Sequence, residues 1–289
     1  MRDHFIVGER EVRVVRLDKP LWPEGYTKAD LMAYLLQVGP FLLPHLKGRP
    51  LSFTRWPDGI GGKGFYQKNP PQGTPPWVPT ARMEDTTYLL VQEEATLAFL
   101  ANLAVIEIHM PLVQLPDLDR PDLAVIDLDP MPPYGFEETL AVARLVKVAL
   151  DQLGLVGFPK TSGATGLHIF LPLQPVLTAR QVAEHIRRFA SLLQRSAPDL
   201  ITLERRVKDR HGIYFDYGQN APTRTMAAPY SLRPIAGAPV STPIHWTELG
   251  RFDPRDFTIA TVPRRLRNAG DPMAAMAKVA QTLDAFRSI

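Results

Sequence analysis

Cysteine is absent from all 289 residues. Disulfides, thiolate zinc sites and cysteine nucleophiles are therefore excluded, and a reducing compartment is expected. Long apolar runs are missing too. The most hydrophobic stretch, 95–108, is interrupted by Asn102 and Glu107 and falls short of the about 20 residues that span a bilayer. The first 19 residues are charged throughout and lack the apolar centre of a secretory signal. These absences lead to the expectation of a soluble, cytoplasmic protein without a membrane partner. Internal repeats and low-complexity tracts are lacking, which argues against solenoids and disordered linkers. Charge of either sign is in small excess only. The net of +3 fits ordinary solubility and nucleic-acid binding equally well.

Several things are abundant. Hydrophobic residues make up 45%, enough for a packed core. The 29 prolines, roughly twice average usage, fall mostly between periodic segments and stiffen the connections. Basic residues cluster at Arg187-Arg188, along 205–210 and along 264–267. Each cluster also reads as a solvated face.

Periodicity outlines the elements. Phe5–Val7 and Val12–Arg16 read as a hairpin around Gly8. Thr27 with Asp30 resembles a capping box opening a helix through Val38, and Pro40 is expected to begin a second short helix. Leu51–Arg55 reads as a strand, followed by a long Pro/Gly-rich loop, 56–80. A helix over 93–103, a strand over 105–109 and a polar connection over 115–121 follow. That connection is the expected boundary between an N-terminal α/β lobe, 1–115, and a second lobe, 116–289. The second lobe reads as strand (123–128), helix (136–153), two strands (158–161 and 167–173), helix (from Thr178) and strand (213–217). That order implies α+β architecture, with helices on one face of a mostly antiparallel sheet. A short strand over 229–232 and a terminal helix over 271–286 complete the expectation.

Three segments carry the chemistry. In Val125-Ile126-Asp127-Leu128-Asp129-Pro130 the aspartates share one strand face, roughly 6.5 Å apart along the chain. Paired carboxylates invite a hard cation such as Mg²⁺ or Mn²⁺, although a hydrated acidic strand end has the same pattern. The loop Ser162-Gly163-Ala164-Thr165-Gly166, followed by His168, could form an anion nest of backbone amides. An ordinary hairpin turn with a structural histidine fits as well. It is neither a P-loop nor a nucleophile elbow. Asp216 lies in an otherwise apolar strand, with Arg224 and Arg233 downstream. Together these residues form an inventory for metal-dependent phosphoryl or nucleotidyl transfer, or for a metal-dependent nuclease.

The motifs V-I-D-L-D-P, K-T-S-G-x-x-G-L-H-I-F-L-P-L and F-D-Y-x-Q-N-x-x-x-x-T-x-x-A-P-Y-S-L-R resemble the polymerase domain of bacterial DNA ligase D. That family belongs to the archaeo-eukaryotic primase superfamily. The resemblance extends through L-D-K-P-L-W-P, T-K-A-D-L, G-F-Y-Q-K-N and E-I-H, from about Leu17 to Arg265. It implies one polymerase domain whose RRM-like antiparallel catalytic sheet packs against the N-terminal α/β lobe.

The resemblance also assigns roles. Asp127, Asp129 and Asp216 match metal-binding carboxylates for two Mn²⁺ or Mg²⁺ ions. His109 matches a histidine at the catalytic centre. Ser162, Gly163, His168, Arg233, Arg55 and Gln219 fall at the nucleotide site. Lys19 and Lys28 match lysines for a DNA 5′-phosphate, and Phe65 a template contact. Thr165 stands where the family often has lysine. The implied activity is template-directed addition of nucleotides, ribonucleotides preferred, at 5′-phosphorylated gaps or breaks in non-homologous end joining. Its substrates would be NTPs or dNTPs, and its partners Ku and a separate or fused DNA ligase. A weakly catalytic end-binding module is the remaining alternative, beside the nuclease.

Overall fold

The computed structural model describes residues 4–287. In chain order its elements are β1 His4–Val7, β2 Arg10–Arg13, α1 Lys28–Leu46, β3 Ser52–Arg55, β4 Phe65–Gln67, β5 Thr80–Met83, β6 Thr86–Leu89, α2 Glu94–Asn102, β7 Val105–Pro111, β8 Leu123–Pro130 and α3 Phe136–Gln152. There follow β9 Phe158–Thr161, β10 Leu167–Pro172, α4 Ala179–Ser196, β11 Ile201–Thr202, β12 Ile213–Phe215, β13 Thr225–Ala227 and α5 Val262–Ala269.

The chain divides into two units, but not at the single boundary expected near 115. The first unit runs through Pro111 and also takes in Thr225–Thr242 and Arg255–Asp271. The second holds Leu112–Arg224, Pro243–Pro254 and the chain from Pro272 onward. The chain returns to the first unit because the outer edge of β7 is paired there by β13, Ala227 opposite His109. A three-residue strand has too little alternation to announce itself.

In the first unit the sheet runs β13-β7-β3-β4, with hairpins β1-β2 and β5-β6 beside it. The capping box at Thr27 is present, with Asp30 bonding back to the Thr27 backbone. The break expected at Pro40 does not occur. α1 continues through Pro40 and Pro44 to Leu46. Each proline forfeits one backbone hydrogen bond, but Leu31, Tyr34, Leu35, Val38, Leu42 and Leu46 are fully buried along one stripe and outweigh that loss. Gly39 lets α1 and α2 approach, since a Cβ there would lie 3.3 Å from Glu94 Cγ.

In the second unit the strand order is β11-β12-β8-β10-β9. β8 pairs antiparallel with β10 and β12, and β10 with β9, while β11 adds parallel to β12 at the edge. With α3 and α4 in the connections, this is the RRM-like β-α-β-β-α-β unit expected. Both helices cover the face that carries Ile126, Leu128, Ile169 and Phe215. A Cβ on Gly157 would meet Ile169 at 2.8 Å and Leu150 of α3 at 2.9 Å, and Phe189 of α4 packs edge-on against Phe215. The opposite face carries Asp127, Asp129, His168 and Lys160 together with the buried apolar side chains of Val125 and Phe170.

Two expected elements are absent. Residues 229–232 form a turn, with Tyr230 at φ 65° and Leu232 making one isolated bridge to Val240. Residues 271–286 contain 3-10 turns at Ala274–Lys278 and Asp284–Arg287 rather than an α-helix. Between those turns Gln281 bridges Leu173, and its side-chain amide bonds both backbone groups of Val156 at 2.8 Å. That pairing needs extended chain and overrides helical periodicity. No helix among the described residues is long and apolar enough to cross a membrane.

Candidate functional site

β8 is the central strand of the second unit, and its alternation sends Asp127 and Asp129 to the helix-free face. Their neighbours in register complete a row. His168 of β10 stands opposite Asp127, and Lys160 of β9 stands opposite His168. On the other side Tyr214 of β12 stands opposite Asp129, and the Asp216 N–H donates to the Asp127 carbonyl at 2.9 Å. Asp216, Asp127, His168 and Lys160 thus cross the sheet in line, with Asp129 and Tyr214 one pleat along.

These groups are closely held. Asp127 is 4% exposed, and its Oδ1 lies 3.3 Å from His168 Nε2. The Asp216 carboxylate accepts from Gly218 N–H at 2.9 Å and from the Tyr214 hydroxyl at 3.3 Å. Burial and the Asp216 charge push the Tyr214 phenol up to about 12. Lys160 is fully buried, its ammonium 3.4 Å from the Thr161 carbonyl and 5.7 Å from the centre of the Phe170 ring. Gln219 lies in the 3-10 turn that follows Asp216. The next residue, Asn220, is buried and bonds both Val125 N–H and Val125 C=O, at 2.8 and 2.7 Å. Its amide acts as one more pairing partner for β8 and ties that turn to the carboxylate strand.

The loop 162–166 is organised around Ser162. Its Oγ accepts from Ala164 N–H at 3.1 Å and Gly166 N–H at 3.0 Å, so two amides of the expected nest are bonded within the loop. Gly163 takes φ 78°, a conformation that favours glycine. Gly166 has a different reason: a Cβ there would lie 2.5 Å from the Leu128 carbonyl oxygen and 2.9 Å from Asp129 Oδ1. The loop folds down onto the carboxylate strand because Gly166 has no side chain.

The sheet of the first unit has its own polar face. Ser52 and Thr54 of β3 stand opposite His109 and Glu107 of β7. The Glu107 carboxylate lies 3.2 Å from Arg233 Nε and 3.7 Å from His109 Nε2. Burial alone would raise the Glu107 carboxyl, but His109 and Arg233 hold it below its ordinary value. Tyr66 packs edge-on against the His109 ring, and its hydroxyl reaches Ser52 at 2.5 Å and Thr225 at 3.2 Å. Arg55 sits with its guanidinium 5.1 Å from the Phe65 ring centre, bonded to the Leu103 carbonyl and to Gln67. Its pKa is lowered by burial.

Lys19 and Lys28 are neighbours of Arg16, and the two behave differently. Lys19 pairs with exposed Asp58 at 2.6 Å. The Lys28 ammonium is buried and donates to the carbonyls of Val15 and Asn102. Burial lowers its pKa, and the charges of Arg16 and Lys19 lower it further.

Strand spacing puts Asp127 and Asp129 on one face, and the register brings Asp216, which the family resemblance adds to them, to the same face. Glu107, Lys160, Asn220 and Tyr214 join the site through the structure. Lys160 and Glu107 offered a faint signal, as charged residues inside apolar strands. Asn220 offered none, because its partner lies 95 residues away.

Three carboxylates on one sheet face suit a hard divalent cation by donor chemistry. Among the described residues, however, no three Asp, Glu or His side chains are drawn closely enough together to hold an ion as they stand. Asp216 is turned onto Gly218 and Tyr214 instead.

An RRM-like sheet with aspartates on the face turned away from its helices is the frame of a nucleotidyltransferase. The family model described as LigD, primase-polymerase domain, matches residues 27–273, and the chain belongs to that family. Among its relatives, the multifunctional non-homologous end joining protein LigD of Mycolicibacterium smegmatis is 32% identical over 96% of this chain and 38% of that protein. The bifunctional LigD of Bacillus subtilis is 32% identical over 91% of this chain and 43% of that protein. The chain therefore spans roughly two fifths of the curated relatives it matches. Among solved structures, the polymerase domain of Mycobacterium tuberculosis ligase D in complex with DNA matches with a TM-score of 0.86 and 32% identity. The match covers 92% of this chain and 98% of that one, and the expected α+β primase-polymerase fold is borne out.

Proposed function

We propose that this chain is a template-directed polymerase that adds nucleotides, ribonucleotides preferred, to 3′ ends at 5′-phosphorylated gaps or breaks in non-homologous end joining. The observation that carries this reading is the line of Asp216, Asp127 and His168 across the sheet face turned away from the helices, with Asp129 beside it.

Asp127 and Asp129 would hold divalent cations, Mn²⁺ or Mg²⁺, with Asp216 joining them after leaving Gly218 and Tyr214. Such ions supply Lewis acidity at the α-phosphate and lower the pKa of the primer 3′-hydroxyl. The chain's own residues do the rest. His168, with Nε2 3.3 Å from Asp127 Oδ1, orients that carboxylate. Loop 162–166, Gln219, Arg55 and Arg233 are assigned to the incoming NTP or dNTP, with Arg233 offering a planar fork for phosphate oxygens. Glu107 orients Arg233 and His109, so His109 is presented in a fixed pose. Lys19 and Lys28 are assigned to the 5′-phosphate of DNA, and Phe65 to the template. Ku and a DNA ligase activity are the proposed partners.

The test is extension of a labelled primer on gapped, 5′-phosphorylated DNA with Mn²⁺ and each rNTP or dNTP, beside Asp127→Ala. Template-directed lengthening that disappears in the variant is expected. Shortening of the primer would turn the reading to a nuclease. Binding without lengthening would turn it to an end-binding module. Equal use of rNTPs and dNTPs would remove the ribonucleotide preference.

A further inference from the structure

In the first unit β13 ends at Ala227, and the chain beyond it turns while staying attached to β7. Ala228 N–H donates to the Ile108 carbonyl at 2.9 Å, and Ile108 N–H donates to the Ser231 hydroxyl oxygen at 2.9 Å. The Ala228 carbonyl, which a continuing strand would offer to Ile108, accepts from Ser231 N–H at 3.1 Å instead. A serine side chain thus takes the place of backbone between Glu107 and His109. Two residues further on, Arg233 N–H donates to the Pro239 carbonyl at 2.9 Å, and Arg233 Nε returns to Glu107 at 3.2 Å.

The pivot of this turn is Tyr230. It is fully buried and takes φ 65°, a region that bulky side chains rarely adopt. Backbone strain of this kind persists only where the surroundings hold it. Three partners hold it here. The Tyr34 hydroxyl of α1 donates to the Tyr230 carbonyl at 2.8 Å, Tyr230 N–H donates to the Ser241 carbonyl at 2.7 Å, and the Tyr230 hydroxyl donates to Asp271 Oδ1 at 2.6 Å. Asp271 follows the end of α5, and its other oxygen lies 2.9 Å from His45 Nε2 in the last turn of α1. Both of those side chains are 8% exposed. Burial, reinforced by the Asp271 charge, pushes the Tyr230 phenol well above its ordinary value, so the hydroxyl remains a donor. An apolar contact would fill the same space, but hydrogen bonds fix direction as well. We propose that Tyr230, held by Asp271 and His45, is a positioning residue for nucleotide binding: its hydroxyl clamp keeps the left-handed turn, and the turn aims Arg233 at the incoming triphosphate. This assignment rests on the polymerase reading above, which gives Arg233 to the nucleotide, and adds the buried groups that set its pose.

The experiment pairs a spectrum with kinetics. The Arg233 side-chain Nε–H resonance is followed in ¹H–¹⁵N spectra and identified by its absence from Arg233→Ala. Tyr230→Phe, which deletes one oxygen, is expected to move or broaden that resonance, as Glu107→Gln does when it releases Arg233. In primer extension the KM for nucleotide is expected to rise roughly three- to tenfold in Tyr230→Phe, the scale of one lost hydrogen bond. The KM for primer–template is expected to hold. Asp271→Ala is expected to match Tyr230→Phe, and Asp271→Asn, which still accepts from the hydroxyl, to restore the wild-type KM. Added to Arg233→Ala, Tyr230→Phe is expected to change the nucleotide KM by less than about twofold, because the two act through one group. An unmoved resonance with an unchanged nucleotide KM would overturn the proposal. So would a fall in Tm alone, or a full additional loss in the double variant, either of which would make the network a stability element. Failure of wild-type protein to extend any primer, with the resonance still moved in Tyr230→Phe, would count against the polymerase reading alone, because the spectrum needs no turnover.

Discussion

The backbone N–H of Asp216 donates to the backbone carbonyl of Asp127 at 2.9 Å, and this one bond brings carboxylates 89 positions apart in the chain to neighbouring places on the same sheet face. It requires β12 to lie against β8 in a particular register, Tyr214 opposite Asp129. A slip of one residue would turn Asp216 to the helix-covered face.

Asp127→Asn keeps the shape of the side chain and removes its charge. Nucleotide addition is expected to fall by roughly 10²–10³-fold, the scale of losing one well-placed electrostatic contact to the reacting phosphate. Circular dichroism and Tm should stay close to wild type. Near-normal turnover in Asp127→Asn would remove Asp127 from the chemistry.

Gly166→Ala introduces a Cβ against the Leu128 carbonyl, where something must shift. The loop 162–166 is expected to lift from β8, with a stability loss of about 1–3 kcal/mol and weaker nucleotide binding. Denaturant unfolding and the KM for nucleotide check the two effects separately. An unchanged midpoint would mean that the loop accommodates the methyl group freely.

Lys28→Met removes an ammonium that satisfies the Val15 and Asn102 carbonyls. About 1–3 kcal/mol of stability is expected to go with it. Lys19→Met, whose partner Asp58 is solvent-exposed, should leave Tm within error and weaken synthesis on 5′-phosphorylated gaps more than on gaps lacking the phosphate. The contrast separates loss of fold stability from loss of phosphate binding. Equal loss on both gaps would count against Lys19 as the phosphate contact.

Glu107 has a pKa held below its ordinary value of 4.5 by His109 and Arg233, acting against its burial. A depressed carboxyl stabilises the fold fully above its unfolded pKa, and that contribution fades as pH falls through the lower folded value. Glu107→Gln should therefore cost most at neutral pH, and its Tm gap to wild type should narrow toward the acid side of pH 4.5. A gap constant from pH 7 to pH 3 would show that the carboxylate charge contributes nothing.

Much of the site was legible in the chain. Alternation placed Asp127 and Asp129 on one face, and the caps at Thr27 and Thr178 marked two helix starts where the structure has them. Local pattern failed where distant segments decide. Pro40 should stop a helix, yet the buried stripe of α1 carries it on. Residues 271–286 have helical periodicity, yet Gln281 is committed to Val156 and Leu173. Asn220 reads as a loop residue until Val125 is found beside it. Each failure is a case of tertiary contacts outweighing local preference.

β8 is bonded on both flanks, to β10 over six residues and to β12 over three, with the Asn220 amide filling one further place. An amide in such a strand exchanges with solvent only when the surrounding sheet opens as a whole. Asp127 and Asp129 consequently ride on the slowest-exchanging segment of their unit. Fraying of the outer strand β11 or of the loop 204–210 would leave Asp127 and Asp129 in place. Deuterium uptake along 123–130 should track global unfolding while 204–210 exchanges early.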